Sequence, residues 1–112
     1  MHIYVELWKP KPAWIGLSDN ERKSFIDSLF PVIGMLTESG VKLLSFAIND
    51  EDTEYKADFK YIAVWQMPDK EKAVFFEQEV IKTGFHDYFE QVNARGESVP
   101  PDVLLGDMAI VL

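Results

Sequence analysis

The sequence contains no cysteine and only two histidines, His2 and His86. Disulfide scaffolds, thiol nucleophiles and cysteine-ligated zinc are therefore excluded. Positive charge is scarce as well. Eleven Lys and Arg stand against nineteen Asp and Glu, giving a net charge of −8 and a pI near 4.6. Nucleic-acid backbones and anionic membrane surfaces are bound by clustered basic side chains, so neither partner fits this balance. No apolar run approaches the ~20 residues of a bilayer-spanning helix. The opening Met1–Val5 lacks the basic start and apolar stretch of a secretory signal, so a cytoplasmic location is expected. The six glycines are dispersed rather than gathered in a phosphate-binding loop, and no G-x-S-x-G elbow occurs. Small organic molecules and other protein chains, including a second copy, remain as partners.

At 112 residues the chain has room for one domain. His2 to Trp8 alternates with period two, placing Ile3, Val5 and Leu7 on one side and His2, Tyr4, Glu6 and Trp8 on the other, which predicts a strand. Lys9-Pro10-Lys11-Pro12 should break regular pairing. Ser18-Asp19-Asn20-Glu21 has the form of a capping box, and Phe25, Leu29, Val32, Ile33 and Leu36 then recur at helical spacing. Pro31 predicts a kink or break near Leu29–Phe30, and Gly40 a stop. Val41–Asn49 and Phe59–Met67 read as strands separated by the acidic turn Asp50–Glu54. Asp69 caps a second helix with Ala73, Phe76, Val80 and Ile81 on its buried side, closed by Gly84. Tyr88–Arg95 is the fourth strand.

The order strand–helix–strand–strand–helix–strand predicts an α+β, ferredoxin-like βαββαβ fold: a four-stranded antiparallel sheet with helices on one face. Residues 1–96 form this domain, and residues 97–112 are a tail ending in the apolar run Met108–Leu112. Strand parity separates an aliphatic set (Ile3, Val5, Leu7, Leu44, Ile48, Ile62, Val64, Val92) from a set rich in rings and polar groups (His2, Tyr4, Glu6, Trp8, Tyr61, Trp65, Phe89, Gln91, Asn93, Arg95). The aliphatic set is expected beneath the helices. The aromatic set would then need another cover, since so many exposed rings exceed the few hundred Å² of apolar patch usual on monomers. Face-to-face packing with a second sheet in a homodimer supplies it, enclosing a pocket for a small organic ligand, with the tail reaching the partner. A register pairing Glu6 with Gln91, Tyr4 with Asn93 and His2 with Arg95 is consistent with this parity.

His2–Trp14 (HIYVELWKPKPAW), Tyr61–Asp69 (YIAVWQMPD) and Asp87–Gly96 (DYFEQVNARG) resemble the recurring blocks of a family of small, uncharacterised bacterial proteins. The resemblance covers roughly residues 1–96. It implies a dimeric α+β barrel, shared more distantly with cofactor-independent monooxygenases, muconolactone isomerases and stress-responsive barrel proteins. It implies no activity, and no catalytic pattern of those enzymes matches here residue by residue.

The residues themselves nominate Glu6 with Arg95 as a catalytic pair: a carboxylate in an aromatic cavity, its pKa raised by desolvation, acting as general acid or base. The competing and commoner arrangement is a structural ion pair. Tyr4, Trp8, Tyr61 and Trp65 are candidate pocket walls, and Gln91 and Asn93 candidate orienting groups. Trp14 is a further ring able to stack on a planar ligand, although such rings serve equally as dimer core. His86, beside Asp87, is either a proton shuttle or a surface turn residue. His2 and Glu6 lie about 13 Å apart along a strand at ~3.3 Å per residue, too far to share an ion unaided. The acidic turn lacks the glycine of a calcium loop. No metal and no cofactor is expected, and any reaction would be proton transfer, isomerisation or oxygenation. A non-catalytic module whose aromatic face forms the dimer core is the alternative.

Overall fold

The alternation at the N-terminus folds as β1 (His2–Pro10), the first element of a computed structural model that describes residues 1–110. β1 runs through Pro10, which pairs with Phe89 at the strand end. Pro12 then opens the short helix α1 (Pro12–Ile15), where a missing N–H costs nothing because the first turn has no partner for it. The capping box forms as expected. Ser18 Oγ accepts from the Glu21 amide at 3.1 Å, and Glu21 Oε1 accepts from the Ser18 amide at 3.0 Å, starting α2 (Asp19–Glu38). α2 passes Pro31 without interruption, so the expected break near Leu29–Phe30 does not occur. Gly40, at φ 108°, turns the chain into β2 (Lys42–Ile48).

β3 (Tyr61–Met67) begins two residues later than expected, because Asn49 Nδ2 donates to the carbonyls of Ala57 and Phe59 and holds those residues in the connecting loop. Asp69 caps α3 (Lys70–Lys82) by accepting from the Lys72 amide at 2.8 Å. Gly84 at φ 79° leads into the short α4 (Phe85–Tyr88), followed by β4 (Phe89–Glu97) and α5 (Pro101–Met108). The four strands form one antiparallel sheet in the order β2-β3-β1-β4. Val111 and Leu112, the end of the apolar tail, lie outside the described residues.

The face assignment is the reverse of expectation in β1, β3 and β4. Tyr4 and Trp65 are 1% and 4% exposed and join Leu36 of α2 and Ala73 and Phe76 of α3 in the core. The Tyr4 ring meets Phe76 edge-on at 4.9 Å between centroids, and Trp65 meets it at 5.1 Å. The ring-bearing face therefore lies beneath the helices and cannot be the contact between two sheets. The aliphatic residues Ile3, Val5, Leu7, Ile62 and Val64 line the opposite, half-exposed face. In β2 a register shift between Leu43 and Ser45 changes the parity, so that Phe46 joins the helix side opposite Ala63. Long rings suit the helix side because they span the gap to α2 and α3, and their polar tips find partners there. Among the described residues, no buried side-chain polar atom lacks a hydrogen bond.

The register also differs. β1 pairs Glu6 with Asn93, Tyr4 with Arg95 and His2 with Glu97, a two-residue slip that preserves every face. Ile81, expected on the buried side of α3, is exposed. α5 is exposed at every residue, and the radius of gyration is 16.2 Å, against about 13 Å for a compact chain of this length.

Candidate functional site

Between the sheet and α2 lies a cavity of about 480 Å³. Its floor is Glu6 and Trp8 of β1, Phe46 of β2, and Tyr61 and Trp65 of β3. Its roof is the apolar stripe of α2, from Phe25 through Leu29 and Val32 to Leu36. Trp14 of α1, Phe76 and Val80 of α3, Phe85 of α4 and Phe89 of β4 close the sides. Phe30, on the α2 rim, is 64% exposed and marks the opening to solvent. The rings form a continuous belt, with Trp8 at 5.8 Å from Tyr61, 6.5 Å from Phe46 and 5.8 Å from Phe85. Trp65 continues it at 5.6 Å from Phe46. The volume falls within the ~300–1,000 Å³ of small-molecule pockets.

Glu6 is the one acidic or basic side chain in this wall. It is 6% exposed and held at both oxygens: the Trp65 indole N–H donates to Oε1 at 2.6 Å, and Gln91 Nε2 donates to Oε2 at 2.8 Å. Burial drives its pKa above the ordinary glutamate value, while the two donated hydrogen bonds pull the other way. Behind Glu6 a smaller, polar pocket of about 230 Å³ is lined by Tyr4, Glu77, His86, Gln91 and Asn93. Gln91 is fixed within it, donating to Asn93 Oδ1 at 2.7 Å and accepting at Oε1 from His86 Nε2 at 3.2 Å. The carboxyl of Glu6 thus stands between a large apolar space and a polar one.

The sequence candidates are gathered here with one exception. Glu6, Trp8, Tyr61 and Trp65 meet in the large cavity, and Tyr4, Gln91, Asn93 and His86 in the small one. Arg95 does not reach Glu6. Its Nε donates to Glu77 Oε2 at 3.4 Å, the same oxygen that accepts from the Tyr4 hydroxyl at 3.0 Å, so the expected Glu6–Arg95 pair is replaced by a Tyr4–Glu77–Arg95 group. Burial, reinforced by Glu77, pushes the Tyr4 phenol well above its usual range. Glu77 was not among the sequence candidates, although its signal is present: it follows Ala73 by one helical turn, on the buried stripe of α3. Among the described residues, no group of three or more His, Asp or Glu is arranged to hold a metal ion.

The sheet order and one-sided helices define a ferredoxin-like α+β protein with a ligand-sized cavity between its layers. The chain belongs to the family of unknown function DUF6616, whose model matches residues 1–111. Among solved structures it is similar to a putative chlorite dismutase at a TM-score of 0.65 and 13% identity, over 96% of this chain and 48% of that one. The chain thus spans about half the length of that protein. A dimeric ferredoxin-like protein from an uncultured marine organism matches at a TM-score of 0.51 and 18% identity, over 89% of this chain and 96% of that one. A hypothetical Arabidopsis thaliana protein matches at 0.51 and 12%, over 88% and 90%. At such identities the likeness is one of fold. No curated protein matches the chain, and no helix among the described residues is long and apolar enough to cross a membrane.

Proposed function

We propose that the protein takes up a small, largely apolar organic molecule between its sheet and α2, with Glu6 meeting the polar, proton-bearing end of that molecule. The observation that carries this reading is the position of one buried carboxyl in an otherwise apolar, ring-lined wall. A few placed polar groups in an apolar pocket orient a ligand, and here Glu6 is the principal one. A carboxylate whose pKa is raised by burial is also a stronger base than an exposed one, so Glu6 can take a proton from the bound molecule and return it. Trp65 and Gln91 hold both oxygens in place for that transfer. The chemistry this supports is cofactor-independent proton transfer or isomerisation, with Arg95 in a structural role beside Glu77.

The test uses toluene as a neutral apolar probe, titrated while the indole N–H signals of Trp8, Trp14 and Trp65 are followed by NMR. Saturable shifts of these signals are expected in the wild type and their loss in Val80→Phe, which fills the cavity while keeping Glu6 itself in the chain. Absence of any shift in the wild type would sink the reading.

The reading extends to the assembly. Two copies pack through the open sheet faces carrying Ile3, Val5, Leu7, Ile62 and Val64, the face opposite the cavity. The exposed apolar residues of α5 (Val103, Leu104, Leu105 and Met108) support the same view. So does the dimeric state of the marine relative.

A further inference from the structure

The cavity presents an unusual electrostatic pairing. Among the described residues, no basic side chain forms an ion pair with Glu6: the nearby Arg95 is engaged with Glu77, and the amino terminus and His2 with Glu97. Both groups bonded to the Glu6 carboxylate are donors, the Trp65 indole and the Gln91 amide, an arrangement that suits the ionised form. A buried carboxylate without a counter-ion is costly unless something supplies the opposite charge. The same cavity is lined by the rings of Trp8, Phe46, Tyr61, Trp65 and Phe76, and aromatic faces attract cations. The net charge of −8 draws cations toward the molecule and repels anions.

We infer that the molecule bound in this cavity is an organic amine in its ammonium form, carried on an aromatic or branched aliphatic body. The inference rests on the cavity being a binding site, as proposed above, and adds the class of ligand. The ammonium docks against the free lone pairs of Glu6 and completes the missing ion pair. The body fills the apolar space beneath α2. Neutral isosteres keep the second interaction and lose the first, whereas carboxylates meet Glu6 with like charge.

Calorimetric titration with three probes of one size decides it: 2-phenylethylamine, 2-phenylethanol and phenylacetate. Charge-assisted hydrogen bonds predict about tenfold or more tighter binding of the amine than of the alcohol, with phenylacetate weakest. Glu6→Gln removes the charge at nearly constant shape and should bring amine and alcohol within about threefold of each other. Equal binding of amine and alcohol by the wild type, or tighter binding of phenylacetate, would overturn the amine assignment while leaving the cavity reading intact. Failure of all three, together with toluene, overturns both. The wild-type comparison stands even if the variant folds poorly.

Discussion

Glu6 makes its own environment measurable. Its raised pKa means that the folded chain holds a proton at pH values where the unfolded chain has released it. Stability then falls as pH rises, because the unfolded state binds fewer protons across that window. The contribution is fully present below the ordinary glutamate range and is lost as pH climbs through the folded pKa. Glu21, Asp58 and Glu97 are held below the usual carboxylate range and act in the opposite sense at lower pH, so the wild type alone gives a mixed slope. The difference between wild type and Glu6→Gln isolates the group, since Tyr4, Glu77, His86 and Arg95 around it are common to both. Urea unfolding between pH 4 and 8 should show the wild type losing stability relative to the variant as pH rises, then levelling. Parallel curves would place Glu6 in a solvated setting. Trp65 is coupled to the same carboxylate. Trp65→Phe keeps most of the ring packing and removes one buried donor, at an expected cost of about 1–3 kcal/mol by the same denaturation measurement.

At the scale of elements, α2 is where local rules and tertiary structure part. Pro31 removes one intrahelical hydrogen bond, yet the helix continues from Asp19 to Glu38, started by its capping box and seated over the cavity through Leu29, Val32 and Leu36. Because the proline is tolerated rather than required, Pro31→Ala should stabilise the protein by about 1–3 kcal/mol, read as a raised melting temperature. An unchanged or lowered value would show that the local backbone is shaped to the proline. Element order, both helix caps and the glycine stops at Gly40 and Gly84 were legible because each depends on residues close in sequence. Parity was legible too, separating Tyr4, Glu6 and Trp65 from Ile3, Val5 and Val64 along the strands. Which set faces the helices was not, since alternation divides a sheet into two sides without naming either. Hydropathy misleads here: Tyr4, Trp65 and Glu6 are buried because Glu77, Gln91 and each other satisfy their polar atoms, and those partners meet only in the folded chain. The β2 bulge at Leu43–Ser45 left no local signature, yet it is what sets Phe46 on the helix side opposite Ala63, the parity it shares with Ile48.

The whole molecule poses a question of area. The open sheet face, four strands about 4.8 Å apart and seven to nine residues long, offers roughly 500 Å² in projection. A stable interface takes about 800 Å² from each partner. The sheet alone therefore falls short of a tight dimer, and α5, wholly exposed and carrying Val103, Leu104, Leu105 and Met108, is the element able to supply the remainder by lying across the second copy. This arrangement predicts two separable effects. Val64→Asp sets a carboxylate on the open face, where association would strip it of water without supplying a counter-charge, and should raise the dimer dissociation constant about a hundredfold or more. Leu104→Asp with Leu105→Asp should weaken the dimer through the arm while leaving the sheet contact unaltered. Analytical ultracentrifugation reads both, and toluene binding should persist in each variant because the cavity lies on the other side of the sheet. A wild-type chain that sediments as a monomer at tens of micromolar would refute the assembly. Loss of toluene binding together with dimerisation would instead mean that the second copy helps to hold α2 over the cavity, tying ligand uptake to association.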